Sequence, residues 1–218
     1  MEEMLQGNDY ARSLISPNQR LMFGHMTEHF VDDVLFEELM DQLSQENMGW
    51  PNRQQMSWFH TLAKRRFQEL PIRMIFHEMA FSEFAVTGEI DFYNVKIRLT
   101  PAQRLRYIAY IQTLIRENEN LSMKLVYGAI ISDFQYNANQ CVFLADGISY
   151  LSLDDSVTRD SLRVVNHPDM RVMLERFFER VWNSSSKVVV GDRAAVEDYV
   201  DHISQQIRMI SLLDGRPE

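Results

Sequence analysis

Near the N-terminus three side chains stand at a spacing that could bind a metal: His25, Glu28 and His29 form H-x-x-E-H. On an α-helix this pattern sets two imidazoles one turn apart with a carboxylate between them, the donor set of a zinc hydrolase. Two histidines make half of a tetrahedral site, and a third ligand from a distant carboxylate cannot be assigned. The expectation is therefore two helix-surface histidines, with a metal-dependent hydrolase using His25 and His29 as the rival reading. Cys141 is the sole thiol and falls in an apolar run read as a buried strand, where cysteine behaves as a small inert hydrophobe. No serine sits in a G-x-S-x-G elbow, and the glycines form neither G-x-G-x-x-G nor a phosphate-binding loop. With a member missing from each constellation, no catalysis, cofactor or resident metal is expected.

Four polar residues near strand ends are the candidates for ligand binding: His77 and Glu78 after one strand, Tyr127 and Asp133 after another. Ligands of open α/β sheets gather beyond the carboxyl ends of strands, which is the reason for choosing them. Thirteen methionines and many phenylalanines could line an adaptable cavity, but at helical spacing they read as core filler.

These residues must be positioned by elements legible in the sequence. From Thr27, the residues Phe30, Val31, Val34, Leu35, Leu39 and Leu43 recur at three- and four-residue spacing and predict an amphipathic helix. A second helix carries Met56, Phe59, Leu62, Ala63 and Phe67, and its Lys64-Arg65-Arg66 run reads as a solvated face. Pro71 ends it. Strands follow at Ile72 to Phe76 and Val95 to Leu99, with the intervening 79–93 open to a helical turn or a hairpin. Thr100-Pro101-Ala102-Gln103 reads as a capping box with proline in the first turn, so a helix starts there. Met123 to Tyr127, Gln140 to Ala145, Ile148 to Leu153 and Leu162 to Val165 read as strands, with Asp146-Gly147 as a hairpin turn. A helix bearing Met170, Met173, Leu174, Phe177, Val181 and Trp182 follows, Ser184 to Ser186 reads as a linker, and Asp192 caps a last helix striped by Val196, Tyr199, Val200, Ile203, Ile207 and Ile210.

This order predicts an α+β or α/β fold: a mixed sheet flanked by helices in an effector domain spanning 70–183, after a helical N-terminal segment (1–69) and before a C-terminal helix and tail (184–218). A net charge of −9 disfavours a grip on nucleic acid by this chain itself. A single cysteine, an acidic N-terminus and the lack of a long apolar run point to a reducing, cytoplasmic setting without membrane contact.

The stretches Glu69 to Arg73, Thr87 to Tyr93, Ile131 to Tyr136 and Arg176 to Trp182 resemble the effector half of Gram-positive regulators of the XRE class, in which a helix-turn-helix domain precedes a sensing region. The strand and helix order also resembles half of a phospholipase D-like domain, although no histidine here is followed two residues later by lysine. The resemblance implies a ligand-sensing part of a transcriptional regulator. It would touch DNA only through a domain outside this chain and bind an unknown small molecule or peptide. The apolar stripes of the first and last helices, lying outside the strand-rich segment, predict a homodimer. A ligand-free interaction module is the remaining alternative.

Overall fold

The structure, a computed structural model, describes residues 9–45, 53–93, 95–128, 140–145, 148–153, 162–164, 167–185 and 189–213. In chain order the elements are α1 (Asp9–Ile15), β1 (Gln19–Phe23), a 3-10 turn (Glu28–Phe30), α2 (Asp33–Gln45), α3 (Arg53–Glu69), β2 (Ile72–His77) and α4 (Glu78–Thr87). There follow β3 (Glu89–Phe92), β4 (Val95–Arg98), α5 (Pro101–Glu117), β5 (Leu121–Val126), β6 (Gln140–Ala145), β7 (Ile148–Leu153) and β8 (Leu162–Val164). The chain closes with α6 (Pro168–Trp182), β9 (Val189–Val190) and α7 (Arg193–Leu213).

Seven strands make one mixed sheet in the order β8-β7-β6-β1-β2-β5-β9, and β3 and β4 pair separately as a hairpin. β1, β2 and β5 run parallel, with Phe23 opposite Phe76 and Phe76 opposite Leu125. β6 and β9 flank them antiparallel. The fold is thus a helix-flanked mixed sheet of the α+β class. The two parallel crossovers, through α2 and α3 and then through α4, the hairpin and α5, step along the sheet in one direction and place their helices on one face. Leu21, Phe23, Met74, Phe76, Met123 and Leu125 of that face pack into the main core with α1 to α5 and α7. On the opposite face Met22, Ile75, Val126 and Val142 pack against Leu174, Phe178 and Val181 of α6. Glu179 of α6 also ties down two sheet arginines, accepting from Arg73 Nη1 at 3.0 Å and Arg20 Nη1 at 3.5 Å.

The sheet reaches beyond the expected 70–183 segment at both ends. Gln19–Phe23, read as part of a helical N-terminal third, is a central strand between β6 and β2, and Val189–Val190 forms an edge. The expected helix from Thr27 begins at Asp33, because Thr27 lies in extended backbone paired with Asp91. Val34, assigned to the stripe, is exposed, while Leu35, Phe36, Leu39, Met40 and Leu43 are buried. On α6 the expected stripe shifts likewise: Met170 and Met173 face outward, and Leu174, Phe178 and Val181 face the sheet. The ambiguous 79–93 segment is α4 followed by β3, and Val95–Arg98 pairs with β3 rather than entering the main sheet. The parallel pair enclosing the Pro101 helix is accordingly β2 and β5. The turn at Asp146-Gly147 lies outside the described residues, but β6 and β7 pair antiparallel as expected.

Apart from exposed Val34 and half-buried Tyr199 and Ile210, both stripes expected at a dimer contact are buried in the chain itself. Val196, Val200, Ile203 and Ile207 of α7 are no more than 1% exposed and join the main core beside α5 and α4. Full burial of such aliphatic side chains contributes roughly 1.5–3 kcal/mol each.

Candidate functional site

After β1 the chain leaves the carboxyl edge of the sheet as a short segment, Gly24–Phe30, that is fastened on two sides. Tyr107 of α5 is fully buried; its hydroxyl donates to the Thr27 carbonyl at 2.8 Å and accepts from the Thr27 N–H at 3.2 Å. The Asp91 N–H donates to the Met26 carbonyl at 2.9 Å, so the hairpin holds the same segment. Only Glu28–Phe30 is helical, and the turn is 3-10. The H-x-x-E-H residues therefore do not share one helical face.

They divide between two environments. His25 Nε2 lies 3.7 Å from Asp91 Oδ2, and both ring nitrogens lie 3.5 Å from Cys141 Sγ. Burial opposes the imidazolium of His25, but the Cys141 sulfur and the Asp91 carboxylate outweigh it and raise the pKa. His29 instead enters the core, 3% exposed, between the rings of Tyr10, Phe23 and Phe143. Burial first, and then the Arg66 charge, hold it well below the ordinary histidine range and neutral. Both histidines thus depart from the expected helix surface. Among the described residues no group of three His, Cys, Asp or Glu is arranged to hold a metal.

A cavity of about 100 Å³ opens beside His25, walled by Met26, Glu83, Thr87, Asp91 and Lys96. It stands beyond the carboxyl end of β1, where the sheet order divides: β2 and β5 lie to one side of β1, and β6 to β8 to the other. Gly88 sets its corner. That residue ends α4 with φ +69°, and a Cβ there would stand 2.8 Å from the Leu99 carbonyl oxygen and 2.9 Å from Arg104 Cδ. Arg104 is drawn in by the end of α4, donating to the Ala85 carbonyl at 2.7 Å. One carboxylate oxygen in the cavity wall, Asp91 Oδ1, is buried and has no hydrogen-bond partner among the described residues. Cys141 is 0% exposed and lies behind His25, with its sulfur equidistant from both ring nitrogens rather than in line with one. A thiol so placed is not presented to a substrate.

Behind this cavity lies a second polar cluster. Tyr10 Oη donates to Glu28 Oε1 at 2.7 Å, and Glu28, Tyr93 and Arg66 interact electrostatically around it. Burial, then the charge of Asp91, raises the Glu28 pKa to about 7. Arg66 is 2% exposed and stacks over the Phe67 ring at 4.7 Å. The solvated-face reading holds for its neighbours: Lys64 pairs with Asp33 at 2.5 Å and exposed Arg65 with Glu69 at 2.8 Å. Arg66 is the exception, and it points inward.

Of the residues expected to bind ligand, three meet at the carboxyl ends of β2 and β5. His77 Nδ1 accepts from the Met79 N–H at 3.1 Å and caps α4, the Glu78 carbonyl accepts from Tyr199 Oη at 3.1 Å, and the Tyr127 ring packs edge-on to Tyr199 at 6.0 Å. They join strand ends to helices and do not wall the His25 cavity. Asp133 lies outside the described residues. A larger groove of about 320 Å³ lies near Leu121 and Gly191, but its cations are engaged: Lys124 Nζ donates to the Trp182 carbonyl at 2.5 Å and Arg193 Nε to the Ile115 carbonyl at 2.7 Å.

No helix among the described residues is long and apolar enough to cross a membrane. No protein family, curated protein or solved structure matches this chain.

Proposed function

We propose that this chain is a non-catalytic ligand-sensing domain, the effector region of a transcriptional regulator whose DNA-binding domain lies outside it. The observation that carries the reading is the polar cavity beside His25, with the buried Asp91 Oδ1 in its wall lacking a partner among the described residues. An unpaired carboxylate oxygen is costly away from water, and a ligand donor would relieve that cost. Glu83, Glu89 and Asp91 outnumber Lys96 and His25 around the cavity, so the ligand class that fits is a small amine or amino acid whose ammonium meets Asp91. The inaccessible thiol of Cys141 supports binding over nucleophilic catalysis. The regulatory context rests on the family resemblance, and its Thr87 to Tyr93 stretch supplies four wall residues, Thr87, Glu89, Ile90 and Asp91. Most of the two stripes expected to carry a homodimer is buried in the chain's own core, and the sensing reading requires only one chain's cavity.

Thermal-shift screening with amino acids and short diamines tests it. Saturating ligand should raise Tm, by mass action on the folded state, and Asp91→Asn should abolish that rise. A panel without any stabilising member, or an Asp91→Asn variant that responds as the parent does, would overturn the reading.

A further inference from the structure

We propose that the chain holds a single halide-sized anion in a second, smaller cavity between Arg66, His29 and Tyr10. Its volume is about 10 Å³, the scale of a single water-sized particle. Arg66 and His29 both line it, and Leu14, Leu21, Phe143 and Ala145 close it with apolar surface. Two observations independent of the volume point to an anion. Arg66 is 2% exposed, and its Nε and Nη2 are buried without a hydrogen-bond acceptor among the described residues. His29, 3% exposed, likewise leaves Nδ1 buried and unpartnered among the described residues.

A guanidinium in this position needs a counter-charge, because a buried cation without one is among the most expensive arrangements in a protein. Burial brings its pKa down to about 10, which leaves it charged at neutral pH. Glu28 does not serve as its direct partner. That carboxylate takes the Tyr10 hydroxyl and backbone N–H groups of Glu28 and Tyr93, and Arg66 forms no ion pair within 4.0 Å among the described residues. The unpaired N–H groups, set in an apolar wall, suit a weakly hydrated monovalent anion. Gln19 at the rim is committed elsewhere, its Nε2 donating to the Ser13, Leu14 and Ser16 carbonyls.

Crystals of the full chain grown without chloride and soaked in bromide test the placement. An anomalous peak within hydrogen-bond distance of Arg66 is expected, and a site refining as water, or empty, overturns the proposal. In solution, replacing sodium gluconate with sodium bromide at one ionic strength should raise Tm by roughly 3–5 °C when bromide stands at ten times its Kd. The rise should vanish in Arg66→Met. Should that variant fail to fold, Ala145→Val fills the cavity while keeping the guanidinium, and it should abolish the bromide response on its own. A response that survives in Ala145→Val also overturns the proposal. The tests use no amine ligand, so they are independent of the sensing reading.

Discussion

Replacing Tyr107 with phenylalanine removes one oxygen atom and, with it, both hydrogen bonds that fasten Thr27. Thr27 is 4% exposed, so water does not reach its backbone groups in compensation. The ring of Tyr107 stays, packed against Phe84 at a centroid distance of 4.9 Å and against Phe30 at 6.2 Å, so no cavity larger than a hydroxyl forms. The cost is that of leaving one buried N–H and one buried C=O unpaired, about 1–3 kcal/mol each, partly offset because the hydroxyl itself no longer needs burying. The net loss is about 2–4 kcal/mol, or roughly 5–12 °C in Tm for a chain of this size. Urea unfolding at neutral pH measures it, and hydrogen exchange should show the Thr27 and Asp91 amides losing protection ahead of the global transition. Tyr107→Leu, which also deletes the ring, separates packing from hydrogen bonding. A Tyr107→Phe loss below about 0.5 kcal/mol, with a large loss in Tyr107→Leu, would mean that the ring matters and the hydroxyl does not; the account of how the His25 segment is held would then be wrong.

Three further changes probe other parts of the same argument. Gly88→Ala puts a Cβ 2.8 Å from a carbonyl oxygen at φ +69°, so a loss of about 2–4 kcal/mol is expected; under 1 kcal/mol in urea would show that Leu99 and α4 give way easily. Glu28 has a folded pKa raised to about 7 from an unfolded value near 4.5, so its contribution is full below 4.5 and is lost as pH rises through 7. At about 1.4 kcal/mol per pH unit the swing is on the order of 3 kcal/mol. Glu28→Gln should flatten that interval of the stability–pH profile and gain relative to the parent at pH 8, whereas parallel profiles would refute the assignment. Glu179, held below the ordinary range first by its hydrogen bond to Arg73, contributes above its unfolded pKa and loses the contribution as pH falls. It is 37% exposed, so Glu179→Gln should cost no more than about 1 kcal/mol, and less in high salt; a larger, salt-independent loss would contradict a screened surface network.

The elements with local chemistry were legible in the sequence. Thr100 and Gln103 form the reciprocal capping box read from their spacing, and Asp192 Oδ2 accepts from the Ala195 N–H at 3.1 Å as the cap of α7. β1 was not, for a physical reason: it is buried on both faces, so Leu21, Met22 and Phe23 run together without the alternation that marks a half-exposed strand. Its partners lie near positions 72 and 142, a separation no local window spans. The start of α2 was misread because Phe30 and Val31 fit the helical period, yet the Thr27 pairing with Asp91 overrides it. Arg66 carried a signal that charge obscured. It falls seven residues after Phe59 and three after Ala63, squarely on the apolar stripe of α3, and position on that stripe decided its burial.

The two proposed sites are adjacent, and their chemistry makes them dependent on each other. Asp91 walls the outer cavity and is also the largest charge raising the pKa of Glu28, which in turn interacts with Arg66 at the inner one. An ammonium group against Asp91 neutralises that charge, eases ionisation of Glu28 and supplies Arg66 with a nearby negative charge. A halide beside Arg66 is then bound less tightly. Linkage requires the reverse effect to be equal, so the halide must weaken the amine by the same factor. The fastening of Gly24–Phe30 by Tyr107 and the hairpin keeps Asp91, Glu28 and His25 at fixed separations, so this coupling acts through electrostatics across a rigid segment and needs no movement of the sheet.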